Sequence, residues 1–144
     1  MQANELNGLS LAYIGDSYYE LIVRNYVLSL GYRKVNDLHK RVVKFTSGAK
    51  QAQFIHYFLE KNLLTEQEIS IFKRGRNSHV NTSRKNINIQ DYLDATGFEA
   101  LIGYLYLTKD NERLDYLMQI IFSIEKGESL WQKTQILKNY LKVN

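Results

Sequence analysis

None of the 144 residues is proline, and apolar residues recur at a helical spacing through most of the chain. Proline in a helix interior removes a hydrogen bond and clashes with the preceding turn. Its absence, together with long 3.6-periodic segments, predicts an all-α domain whose helices are joined by short turns. The length fits a single domain, residues 1–144, that can bury a proper core. A second folded module is not expected.

The periodicity predicts a first helix over Glu5–Ser29, with a break or bend near Gly15 and a stop at Gly31. Its apolar positions Leu9, Ala12, Tyr13, Leu21, Ile22 and Val23 wrap around more than half the circumference, which makes it central. Asn36 is read as the N-cap of a helix over Asp37–Phe45, with Lys40, Arg41 and Lys44 facing out. A third helix is expected from Ser47 to Leu63. Thr65 and Glu68 form a capping-box pattern opening a short helix through Phe72. Residues Asn77–Asn88 are polar, basic and aperiodic, so they read as a long loop of the kind that often carries function. A helix over Ile89–Leu107 follows, then one capped by Asn111 over Glu112–Glu125. After Gly127, a last helix with Leu130, Trp131, Leu137 and Leu141 is expected to cover the core.

Two segments share an unusual construction. LAYIGDSYYE, from Leu11 to Glu20, sets Asp16 in an apolar and aromatic run beside Gly15, and ATGFEALIGYLYL, from Ala95 to Leu107, sets Glu99 between Gly97 and Gly103. A carboxylate removed from water is costly unless something pairs with it. The nearest Lys or Arg to Asp16 is Arg24, well beyond one turn, so a metal ion is a natural partner. Small residues allow two such helices to pack closely and bring carboxylates distant in sequence to one point. Glu20 shares the helical face of Asp16, although pairing with Arg24 at i+4 explains it equally well.

The charge is uneven. The net +4 resolves into about +10 on two short segments, Arg33–Lys50 and Lys73–Asn86, and about −6 elsewhere. Such a concentration is the footprint of a polyanion partner, with a solvated basic face as the plainer alternative. The absence of cysteine excludes disulfides and thiolate metal sites and suits a reducing cytoplasm. No apolar run approaches bilayer length, and the N-terminal MQANELNGLS lacks the features of a signal peptide, so no membrane is expected. His39, His56 and His79 have no spacing that suggests a shared metal.

LAYIGDSYYE resembles the signature helix of the ribonuclease III fold, and FEALIGYLYL resembles its second acidic helix. With FKRGRNSHVNTSRKN from Phe72 to Asn86, the chain is most similar to the small Mini-III branch, over roughly Leu9–Leu117. The resemblance implies a homodimeric, metal-dependent endoribonuclease that cuts double-stranded RNA. It implies Asp16 and Glu99 as catalytic residues and ligands of Mg2+, with Mn2+ as a substitute. For this branch it further implies maturation of the large-subunit ribosomal RNA precursor, and no separate double-stranded-RNA-binding domain.

Magnesium is commonly held by one or two carboxylates, several waters and substrate phosphate, which Asp16 and Glu99 can satisfy. The longer enzymes of the family carry acids where this chain has Ala12 and Thr96. That thinning implies weaker metal binding, leaves Glu20 and Thr96 as candidates to support the metal's ligands from behind, and favours the rival reading of a noncatalytic RNA-binding dimer. Asp94 is a poor replacement, because five residues turn a helical side chain about 140° away from Glu99. A-form RNA is gripped mainly through phosphates and 2′-hydroxyls. Lys73, Arg74, Arg76, Asn77, Arg84 and Lys85 are suited to that task, with Arg33, Lys34, Lys40, Arg41 and Lys44 as a second strip. Tyr18 and Tyr19, with Tyr13, are the expected dimer contacts.

Overall fold

The computed structural model describes residues 2–78 and 88–126, which contain helices and no strand. A 3-10 turn, Ala3–Glu5, precedes α1 (Gly8–Ser29), α2 (Val35–Thr46), α3 (Gly48–Glu60), α4 (Glu66–Arg76), α5 (Ile89–Leu107) and α6 (Asn111–Glu125). The all-α expectation holds for these residues. The helix expected after Gly127 and most of the Asn77–Asn88 loop, with His79, Arg84 and Lys85, lie outside the described residues.

Local signals account for the helix ends. The Asn7 side chain accepts a hydrogen bond from the Ser10 amide, so α1 starts at Gly8 rather than Glu5. Gly31, at φ 102°, takes the left-handed conformation that stops the helix. The Thr65–Glu68 capping box is formed in both directions. Glu68 is used twice, because its buried carboxylate also accepts from Arg113 of α6 at 2.7 Å. Several helix ends need correction. Lys34 rather than Asn36 precedes α2, α3 ends at Glu60 rather than Leu63, α4 continues through Gly75 to Arg76 instead of ending at Phe72, and Asp110 rather than Asn111 caps α6.

No break occurs near Gly15, and α1 is continuous from Gly8 to Ser29. Gly15 is a contact instead. A Cβ there would fall on the Glu99 carbonyl of α5, and a Cβ at Gly103 would fall on the Leu11 carbonyl of α1. These two glycines let the backbones of α1 and α5 touch. Gly97 has a different neighbour, the Phe72 ring of α4, and Gly75 of α4 faces Ala100.

Helix α5 is apolar nearly all round, as a helix enclosed by others must be. It packs against α1, α3, α4 and α6. Tyr19, Phe54, Phe58, Phe98, Leu101 and Leu117 fill the main core, and Leu11, Ala12, Ile71 and Ala100 form an adjoining cluster. Tyr19 therefore cannot be the dimer contact expected of it. Its ring stacks edge-on against Phe98 at 4.9 Å, and its hydroxyl donates to the Phe45 carbonyl at 2.8 Å. Among the described residues no helix is long and apolar enough to cross a membrane.

Candidate metal and catalytic centre

The Gly15–Gly103 contact sets the site, because each glycine lies within about one helical turn of a carboxylate. Asp16 of α1 and Glu99 of α5 line one cavity of about 530 Å3, with Gln51 of α3, Thr96 and Asp91 of α5, and Thr46 at the end of α2. Asp16 stands exposed at the rim and Glu99 is half-buried in the wall.

Their electrostatics follow from that placement. Removal from water pushes the Glu99 carboxyl up to about 8, the nearby Asp16 charge adds to the rise, and a hydrogen bond from Gln51 opposes it. Asp16 is raised as well, first by partial desolvation and then by the Glu20 charge. Two facing carboxylates without a counter-charge cannot both ionise cheaply, so the proton resides on the more buried Glu99. Among the described residues no ion pair involves either group.

The donor set fits a hard divalent cation. No group of three or more His, Cys, Asp or Glu side chains able to hold a metal occurs among the described residues, so Asp91 lines the cavity without joining Asp16 and Glu99 in one ligand group, and the two carboxylates are left with neutral oxygens. That composition suits an ion that retains several waters. The Gln51 Oε1 is a buried acceptor in the same wall with no hydrogen-bond partner, a group of the kind that an ion or its water would satisfy.

The remaining site candidates separate clearly. Thr96 lines the cavity, but its hydroxyl donates to the Tyr92 carbonyl at 2.9 Å, and Ala12 is buried in the α1–α5 contact cluster. Neither supplies a substitute acid. Glu20 pairs with Arg24 at 3.6 Å. Asp94 points elsewhere: it accepts from Arg76 at 2.8 Å, lies 2.7 Å from His56 Nε2 and is reached by Gln90, which ties α3, α4 and α5 together. Burial works to raise its carboxyl, but these hydrogen bonds outweigh burial and lower it.

Of the expected RNA contacts, Arg74 donates to the Asn4 and Leu6 carbonyls and Arg76 to Asp94, so both anchor the fold. Lys73 and Asn77 are exposed at the end of α4. Lys34, Lys40, Arg41 and Lys44 are exposed on and beside α2, the helix that ends at the cavity wall with Thr46. Arg33 is exposed too, and its guanidinium donates to the Leu28 and Tyr32 carbonyls.

Sequence reasoning did not reach Asp91 or Gln51. Asp91, Ala95 and Glu99 follow one helix face at four-residue spacing, a signal that could have indicated Asp91. For Gln51, a polar residue within an apolar stripe, no local signal exists.

Comparison with known proteins agrees with this arrangement. The Ribonuclease III domain family model matches residues 9–110, which include both carboxylates. The chain belongs to the ribonuclease III family. Family members are RNA-cleaving hydrolases that generally use divalent metals, and this chain falls in the Mini-ribonuclease 3 branch. It is 45% identical to a Mini-ribonuclease 3 of Clostridium tetani over 87% of this chain and 82% of that protein. A Mini-ribonuclease 3 of Enterococcus faecalis is 46% identical over 79% of this chain and 86% of its own length. A crystal structure of a Fusobacterium nucleatum protein superposes with a TM-score of 0.76 at 31% identity, covering 84% of this chain and 95% of that one.

Proposed function

We propose that this ribonuclease III-family chain is a divalent-metal-dependent endoribonuclease that hydrolyses double-stranded RNA. The observation that carries the reading is the shared cavity of Asp16 and Glu99, two carboxylates without a cationic partner among the described residues. Magnesium is the proposed natural ion and manganese its substitute. The precursor of large-subunit ribosomal RNA is the proposed substrate, and the cytoplasm the place of action.

When bound, such an ion supplies a water of lowered pKa and charge stabilisation for the leaving oxygen. Asp16 and Glu99 are the residues that would hold such an ion, with Glu99 giving up its proton to solvent as the counter-charge arrives. In the overall hydrolysis a water oxygen would bond to phosphorus as the bond to the 3′-oxygen breaks, the proton lost by the water passing through solvent to the released 3′-oxygen, with no covalent link to the chain. Lys40, Arg41 and Lys44 on α2, whose C-terminal end meets the cavity at Thr46, together with Lys34 at its other end, are the proposed holders of backbone phosphates.

A single site cuts one strand, so cutting both in one encounter calls for a two-fold pair of chains. Support for such an assembly comes from α1, where Tyr13 is 80% exposed, Leu9 one turn away is exposed and Leu21 is exposed further along the same helix. Helical spacing puts Leu9, Tyr13 and Asp16 on neighbouring faces, so this stripe adjoins the site.

The absence of acids at Ala12 and Thr96 favours a second reading, an RNA-binding dimer without catalysis. Incubating the purified protein and its Asp16→Asn variant with long double-stranded RNA, with and without magnesium, separates the two. Magnesium-dependent cutting by the wild type alone is expected. Binding without cutting would establish the second reading, and near-normal turnover by the variant would remove Asp16 from the site.

A further inference from the structure

Gln51 is a residue for which the fold alone gives an incomplete account. It lies in the first turn of α3, 2% exposed, and its Nε2 donates to the Thr46 carbonyl at 3.1 Å, which helps close the α2–α3 corner. Its amide orientation is fixed chemically. The Thr46 carbonyl can only accept, so the nitrogen faces it, and Glu99 is a further acceptor once ionised. With Glu99 ionised, as beside a bound cation, Oε1 is left buried with nothing to accept from. A leucine of similar size would avoid that penalty, since an orphaned buried acceptor opposes folding. The same side chain lines the cavity of Asp16 and Glu99.

We propose that Gln51 is a positioning residue of the metal site, its Oε1 serving as the third protein oxygen that the cation and its water shell engage. The chemistry favours an amide there. Hard cations accept Gln carbonyl oxygens alongside carboxylates. A third carboxylate would add to the repulsion between Asp16 and Glu99, whereas a neutral oxygen supplies a donor without charge. Gln51 thus offsets in part the acids absent at Ala12 and Thr96. The inference rests on the metal-dependent reading above.

The test is Mn2+ binding to the full-length protein without RNA, read by electron paramagnetic resonance of free Mn2+ and by water-proton relaxation. Loss of such supporting contacts at metal sites typically weakens affinity about 10- to 100-fold, and Gln51→Leu is expected within that range. Gln51→Glu keeps an oxygen at the position and is expected to bind at least as tightly as wild type. Gln51→Met reads the same loss should the leucine variant not fold. Thermal melting in chelator provides the contrast, because a purely structural role moves the melting temperature and leaves Mn2+ affinity unchanged.

Wild-type affinity in Gln51→Leu overturns the proposal. Weakened binding in both the leucine and glutamate variants does so too, since the amide N–H contacts to Thr46 and Glu99, and not an oxygen, are what both have lost. Asp16→Asn serves as the control. If that variant alone loses Mn2+, only the role of Gln51 falls, whereas unchanged binding by Asp16→Asn removes the metal site and this inference with it.

Discussion

The raised carboxyl of Glu99 makes the metal-free protein less stable as pH rises, and Glu99→Gln isolates the effect. In the unfolded chain the group has its ordinary value of 4.5, while in the fold it is pushed up to about 8 by burial and by Asp16. Between those values the folded state holds a proton that the unfolded state has released, so the slope of stability against pH is negative. The contribution is fully present below 4.5 and is lost progressively as pH rises through about 8. At about 1.4 kcal/mol per pKa unit, the wild type loses about 3 kcal/mol between roughly pH 6 and pH 9 from this group. Glutamine has nothing to ionise, so the variant's profile is flatter by that amount. Urea denaturation in chelator, at fixed protein concentration because a dimer's stability depends on it, measures both profiles. Parallel curves would refute the argument. The same linkage requires magnesium to displace close to one proton per site near neutral pH, which calorimetry in two buffers of different ionisation enthalpy reads.

Gly15→Ala puts a methyl group on the Glu99 carbonyl, so α1 and α5 must separate. A loss of about 3 kcal/mol or more is expected, with loss of cleavage in whatever folds, measured by chemical denaturation and an RNA-cleavage assay. Neutralising Lys40 and Lys44 together weakens binding to duplex RNA and lowers the slope of log affinity against log salt by about 2, one for each lost phosphate contact. A binding titration across salt concentrations checks this. Tyr13→Ser removes the most exposed aromatic of α1 and shifts the assembly toward monomer in sedimentation, with an unchanged circular-dichroism spectrum.

Much of the local structure was legible in the sequence. Thr65 and Glu68 announce their capping box, Ile89–Leu107 is bounded as the periodicity has it, and Gly31 ends α1, because caps and helical period are encoded in neighbouring residues. Asp16 and Glu99 also stood out, as lone carboxylates in apolar runs. The rest depended on which surfaces meet. Gly15 looked like a break or bend and is a crossing point in an unbroken helix, Tyr19 looked like an interface and is core, and Arg74 and Arg76, read as RNA contacts, also bond the Asn4 and Leu6 carbonyls and Asp94. Gln51 could be found only in the fold, as its role comes from lying beside a carboxylate on another helix. Neighbouring residues are enough to specify the helices and to single out Asp16 and Glu99. Their partners came from the packing, because a side chain's neighbours across a helix crossing are set by the approach of two backbones, here by the glycine contact of α1 with α5.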